Sequence, residues 1–261
     1  MLGDPTAALN FKVAKTGIYR VTYESLLAAG YDLAGVPMTS VGLSSQGKAV
    51  PITVSGTSFG PGSYIEFLGQ GLDTLYTDTN IYTLQVNATS PARIPVNTKL
   101  PTGKVTYATS YMKTLKVNNQ KGRADYAPGN DPWYDTYMLV YTTPKSWSFP
   151  FVIDGLANSS QTTAMNIVVW GVTDWPADTD HHLKVYVNGI AFADLKFDGR
   201  VEQAIPINLH AGILVEGTNT LQLTLPGDMG VPGEVQNLDS FTVNYLRQFK
   251  AIDSRLTFTA A

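Results

Sequence analysis

Cysteine is absent from all 261 residues. That excludes disulfides, thiolate metal sites and a cysteine nucleophile from this chain. Charge is scarce as well: 15% of residues are charged and the formal net charge is -3. With no basic cluster to override it, such a chain projects no field that would draw nucleic acid or an anionic membrane surface. No apolar run reaches membrane-spanning length, and the opening MLGDPTAALNFKV lacks the basic and apolar stretches of an export signal. A soluble chain without membrane insertion is expected; if its parent is exported, the signal peptide is absent from this sequence. Catalytic signatures are missing too. There is no G-x-S-x-G elbow, no H-E-x-x-H, no Walker A loop and no dinucleotide-binding glycine pattern.

What is present is strand-forming. Hydrophobic residues make up 44% of the chain, enough for a sizeable core. The segment Phe11 to Tyr23 reads as two short strands around Gly17, and TYESLLAAG then supplies the clearest helix signal. Thr22 can N-cap it, Glu24 suits the first turn, Leu26 and Leu27 face inward, and Gly30 is a natural stop. Strands are expected at 40–44, 49–54, 63–68 and 81–86. In the second half they are expected at 149–153, 166–172, 183–187, 195–197, 203–207, 220–225 and 240–245. Ala88 to Lys104, rich in Pro, Thr and Gly, suggests a boundary. The expected fold class is all-β: a small N-terminal β domain with one short helix over residues 1–104, then a jelly-roll β-sandwich over 105–261. Asn118 to Trp133 reads as an exposed loop.

The stretch DTDHHLKVYVNGIAF holds two of the three histidines. Neighbouring strand side chains point to opposite faces, so His181 and His182 cannot chelate one ion from regular β structure. Leu183, Val185 and Val187 form the buried row, with His182, Lys184 and Tyr186 opposite. Asn188-Gly189 is a two-residue hairpin signal, so the pair reads as the opening of a strand. His210 has no partner nearby in sequence.

Asp174, Asp178 and Asp180 cluster in a loop between two expected strands, where oxygen ligands could hold calcium. Loop aspartates also favour turns, and the spacing is not that of an EF-hand. Asp73, Asp78 and Asn80 form a second, weaker group. Trp133 and Trp175 lie beside prolines in polar loops, where a ring could stack on a glycan or pack inward to cap the sandwich. The sequons at Asn87 and Asn158 carry meaning only in a glycosylating host.

Several phrases, taken in order, resemble the non-catalytic region that precedes the protease domain in gingipain-type cysteine peptidases. They are GIYRVTYESLLAAGYD, VGLSSQGKAVPI and YIEFLGQGLDTLYTDTNIYTL, then HHLKVYVNG, LVEGTNTLQLTLPGD and LDSFTVNYLRQFKA. The resemblance implies a propeptide-like β domain, a galactose-binding-like jelly roll and a downstream caspase-like protease domain that would be the partner. It also implies an extracytoplasmic location, secreted or at the cell surface. No catalytic residue transfers to this chain. The implied role is an accessory scaffold packing on that protease or recruiting a surface protein or glycan. A prodomain-like inhibitor is the alternative, with Lys121 and Arg123 as the basic residues offered to a cation-binding pocket. A free-standing carbohydrate-binding module is the third.

Overall fold

The computed structural model describes residues 8–96, 103, 107–129, 131–158, 160–252, 254 and 256–258. The chain divides into two compact units, residues 1–105 and 106–261.

The first unit contains β1 (Leu9–Val13), β2 (Gly17–Thr22), α1 (Tyr23–Ala28), a 3-10 turn at Met38–Ser40, β3 (Gly42–Ser45), β4 (Lys48–Val50), β5 (Ile52–Ser55), β6 (Tyr64–Gly69) and β7 (Asn80–Gln85). They form two antiparallel sheets, ordered β1-β7-β3-β4 and β2-β6-β5. The helix starts where a cap is available: the Thr22 hydroxyl accepts from Ser25 N, and the Ser25 hydroxyl accepts from Thr22 N. Leu26 is buried as expected, but Leu27 is exposed. A helix this short has one buried stripe, and neighbouring residues diverge by about 100°. Phe67 anchors the core, its ring 5.1–6.5 Å from those of Tyr82, Tyr19 and Phe11.

The second unit contains β8 (Ser110–Val117), β9 (Gly122–Arg123), β10 (Trp133–Tyr134), β11 (Thr136–Val140), β12 (Lys145–Ile153), β13 (Thr163–Gly171), β14 (His181–Val187), β15 (Ile190–Phe197), β16 (Glu202–Leu209), β17 (Gly217–Leu225) and β18 (Glu234–Gln248). One sheet runs β11-β18-β13-β16, with β8 also paired to β18; the other runs β12-β17-β14-β15. All pairings are antiparallel, and this is a jelly-roll sandwich. Its core alternates as period-two strands must: Met165, Ile167 and Val169 from one sheet meet Leu183, Val185, Val187, Leu221, Leu223 and Leu225 from the other. Each such side chain contributes roughly 1.5–3 kcal/mol on leaving water. Asn188 and Gly189 take the positive φ values, 49° and 82°, that the tight β14–β15 turn requires.

β18 is the long member. Its second half, Phe241 to Gln248, pairs with β8, while Glu234 to Leu238 pairs with β11; β13 runs along its other side. β8 and β11 therefore lie end to end. Among the described residues, no helix is long and apolar enough to cross a membrane.

Candidate functional site

The two neighbouring histidines open β14. β14 opens at His181 because the hydrophobic row 181, 183, 185, 187 faces inward. His181 is fully buried, its ring stacked on Phe197 at 4.7 Å. Its Nε2 lies 3.2 Å from the Thr173 carbonyl and 3.3 Å from Asp180 Oδ1. Burial lowers its pKa, against the opposing pull of Asp180.

His182 points the other way, onto the outer face, yet it too is buried. Its Nδ1 is 2.7 Å from Asp228 Oδ1 and its Nε2 is 2.7 Å from Asp194 Oδ1. Carboxylates only accept, so both contacts are hydrogen bonds when the ring carries two protons. Hydrogen bonding to His182 leads the causes that hold both Asp194 and Asp228 below the usual carboxylate range. Lys184 adds a 3.2 Å pairing to Asp194. The His182 backbone amide donates to Glu234 Oε1 at 2.7 Å, and Gln236 donates to the same oxygen. Burial raises the pKa of Glu234. The outer-face position of His182 was legible in the sequence. Its burial was not, because Asp194, Asp228 and Glu234 come from three other segments.

The three loop aspartates are not brought together. Asp174 and Asp178 are exposed. Asp180 is fully buried, with Oδ1 accepting from Gly199 N and Oδ2 from Trp175 N, each at 2.9 Å. Among the described residues, no group of three or more His, Cys, Asp or Glu side chains is arranged to hold a metal ion. In the first unit, Asn80 braces a turn by donating to the Gln70 carbonyl, and Asp78 accepts from the Thr79 hydroxyl.

The basic pair sits on a small hairpin. Lys121 pairs with the buried Asp135 at 2.9 Å, and Arg123, opposite Trp133 in the β9–β10 register, pairs with Asp125 at 2.7 Å. Asp135 also accepts from Asn119 and Thr136. Both tryptophans are half-buried. Trp175 donates its indole N–H to the Gly233 carbonyl, and the Trp133 backbone amide donates to Asp131. At another end of the second unit is a cleft of about 290 Å³, lined by Leu156, Thr163, His210, Leu214, Glu216 and Asn244 among others. Both Glu216 oxygens accept backbone amides, from Gly155 and Leu156, which fixes this carboxylate at the cleft wall. Among the described residues these arrangements supply packing and charge pairing.

Several solved structures align over most of the chain, one of them with a TM-score above 0.5. The fold is shared with part of PorU. The dimeric latent PorU from Porphyromonas gingivalis aligns over 94% of this chain with a TM-score of 0.64 and 14% identity, and this chain spans 25% of that one. Two carbohydrate-binding domains align more loosely. The CBM36-1 domain of a xylanase from the hindgut metagenome of Trinervitermes trinervoides covers 50% of this chain and 96% of its own, at TM-score 0.33 and 15% identity. A family 35 module from an environmental isolate covers 56% and 93%, at 0.28 and 15%. At such scores neither bears on fold or function. No protein-family model matches the sequence, and no curated protein is similar to it.

Proposed function

We propose that this chain is a non-catalytic accessory module of an exported bacterial cysteine peptidase of gingipain type, packing on a downstream protease domain. The observation that carries the reading is coverage: 94% of this chain, both units together, corresponds to one quarter of a much longer protein. A fold that recurs as a fraction of a larger chain is built to work attached. The ordered phrases that resemble the region before the protease domain support the family reading, and a chain without cysteine would leave that chemistry to another domain.

The inhibitor alternative is less well supported. An inhibitory loop must offer a basic side chain to a cation-binding pocket, whereas Lys121 and Arg123 are each already paired with an aspartate on their own hairpin. The test uses the catalytic region of the parent polypeptide, made separately. Titration calorimetry should show stoichiometric binding of this chain without inhibition, and Lys121→Ala with Arg123→Ala should leave that binding intact. Stoichiometric inhibition that vanishes in the double variant would overturn the scaffold reading in favour of the inhibitor.

A further inference from the structure

A sheet edge leaves alternate amides and carbonyls without ladder partners, and proteins guard such edges with lysine, other charges or proline. The edge strands of the sandwich follow this rule in four cases. β8 carries Lys113 and Lys116, β12 carries Lys145 and Pro150, β15 carries Asp194 and Lys196, and β16 carries Glu202 and Pro206. The exception is β11, Thr-Tyr-Met-Leu-Val, with neither charge nor proline. In the first unit the uncharged edge strand β5 is covered: Ile52 N donates to the Ala92 carbonyl and Ile94 N to the Ile52 carbonyl. Among the described residues, no segment apart from β18 hydrogen-bonds to the β11 backbone through a strand ladder or turn.

The side chains of this edge are just as unusual. Met138 and Val140 point into the core, and Tyr137 and Leu139 form a row on the other face; Tyr141 follows in a bend just after the strand, its ring on the same side as Leu139, both lying over Gly233. Tyr137 is 45% exposed and Tyr141 63%. The row is symmetric about Leu139, with a tyrosine two residues to either side.

We propose that β11 is where two copies of this chain pair, edge to edge and antiparallel, about a two-fold axis at Leu139. In that register Tyr137 of each copy faces Tyr141 of the other, Met138 faces Val140, and Leu139 faces itself. Aromatic side chains opposite one another stabilise antiparallel pairs, and like charges would oppose pairing; β11 has the first and none of the second. An isologous contact needs a self-complementary patch, and this near-palindrome is one. A foreign partner would have no reason to require that symmetry.

One strand pair buries less surface than a stable interface, so the dimer is weak and concentration-dependent. Sedimentation equilibrium of the full chain, from about 10 µM to about 1 mM, should show the mass rising from 28.3 kDa toward twice that value. Tyr141→Lys places the missing guard on an exposed side chain and should weaken association at least tenfold. Leu139→Lys, setting two charges against each other on the axis, should weaken it further. Tyr76→Lys, on the 87% exposed Tyr76 of the first unit, should change nothing. Circular dichroism checks folding, and Tyr141→Lys decides if Leu139→Lys unfolds the chain. A monomer at every concentration would overturn the proposal, as would a dimer indifferent to Tyr141→Lys. Cellohexaose binding that is lost with Tyr141→Lys, in a protein that never dimerises, would reassign the row to a glycan.

Discussion

Removing the Asp154 carboxylate should destabilise the sandwich more than any change at its surface. Asp154 directly follows β12 and collects three donors from distant strands. Lys113 Nζ lies 2.7 Å from Oδ1, the Tyr245 hydroxyl 2.6 Å from the same oxygen, and Arg247 Nη2 3.0 Å from Oδ2. Arg247 is almost completely buried, so Asp154→Ala strands a guanidinium whose remaining side-chain partner is the Tyr111 hydroxyl. Breaking a buried pair from one side costs about 3–5 kcal/mol, and the partial exposure of Asp154 (27%) brings the expectation down to about 2–4 kcal/mol. All four tryptophans, 133, 147, 170 and 175, lie in the second unit, so their fluorescence reports its unfolding selectively. In urea at pH 7 the midpoint should fall by about 1–2 M. The pH dependence gives a second check. Burial tends to raise the Asp154 pKa, but the hydrogen bonds from Lys113, Tyr245 and Arg247 outweigh it and hold the carboxyl far below its usual range. A depressed carboxylate contributes stability that is full above the unfolded value, about 3.9, and is lost as pH falls towards the folded one. The gap between wild type and Asp154→Ala should therefore narrow below about pH 4. A loss under about 0.5 kcal/mol at pH 7, or a gap unchanged at about pH 3, would refute the reasoning.

Gly171→Ala should lower the fluorescence-detected melting temperature by about 5–10 °C, because a methyl group there would lie 2.0 Å from the Gly199 carbonyl oxygen and 2.6 Å from His181 Nε2. An unchanged melt would mean that this close approach is not present in solution. His182→Gln should let Asp194 and Asp228 titrate at higher pH, since its hydrogen bonds lead the causes holding them down; carbon-13 NMR of the two carboxyls reads this, and unmoved titrations would disprove the contact. Melting curves in excess calcium and in chelator should coincide, both for the wild type and for Asp178→Ala, because both Asp180 oxygens already accept backbone amides. A calcium-dependent shift of several degrees, abolished by Asp178→Ala, would contradict this placement.

Much of the strand pattern was legible because it is local. Thr22 and Gly30 bracket α1, and Asn188-Gly189 writes the β14–β15 turn into two residues. Leu221, Leu223 and Leu225 announce their face by alternation alone. Other strands were not legible in the same way, among them the short pair β9 and β10 inside a segment that reads as an exposed loop. β8 mixes Lys, Thr and Met on a half-exposed edge, which blurs its period. β11 is an unbroken uncharged run beside Trp133 and Asp135, with no polar alternation to mark it. The first half of β18, Glu-Val-Gln-Asn-Leu, looks like a loop, yet all five residues are buried. Its backbone is paired with β11 and β13, and Glu234 accepts from His182 N and Gln236, while the buried Asn237 amide has no hydrogen-bond partner among the described residues. The candidate site was harder still. The identities of His181, His182 and Asp180 were visible, but their partners Phe197, Asp194, Asp228, Gly199 and Glu234 arrive from elsewhere in the chain.

Strand order also bears on how the second unit is made. β18, the last strand in sequence, is the one against which β8, β11 and β13 all pair. A ribosome delivers those three well before their common partner, leaving their ladder groups unsatisfied and their apolar faces open for the interval. Contacts this distant in sequence close slowly, and chains held in such a state are prone to associate wrongly. A nascent chain stopped anywhere before Glu234 has a sheet without its middle. Folding of this unit therefore waits until Gln248 has been made, and a chaperone that keeps its strands apart for that interval would protect its yield.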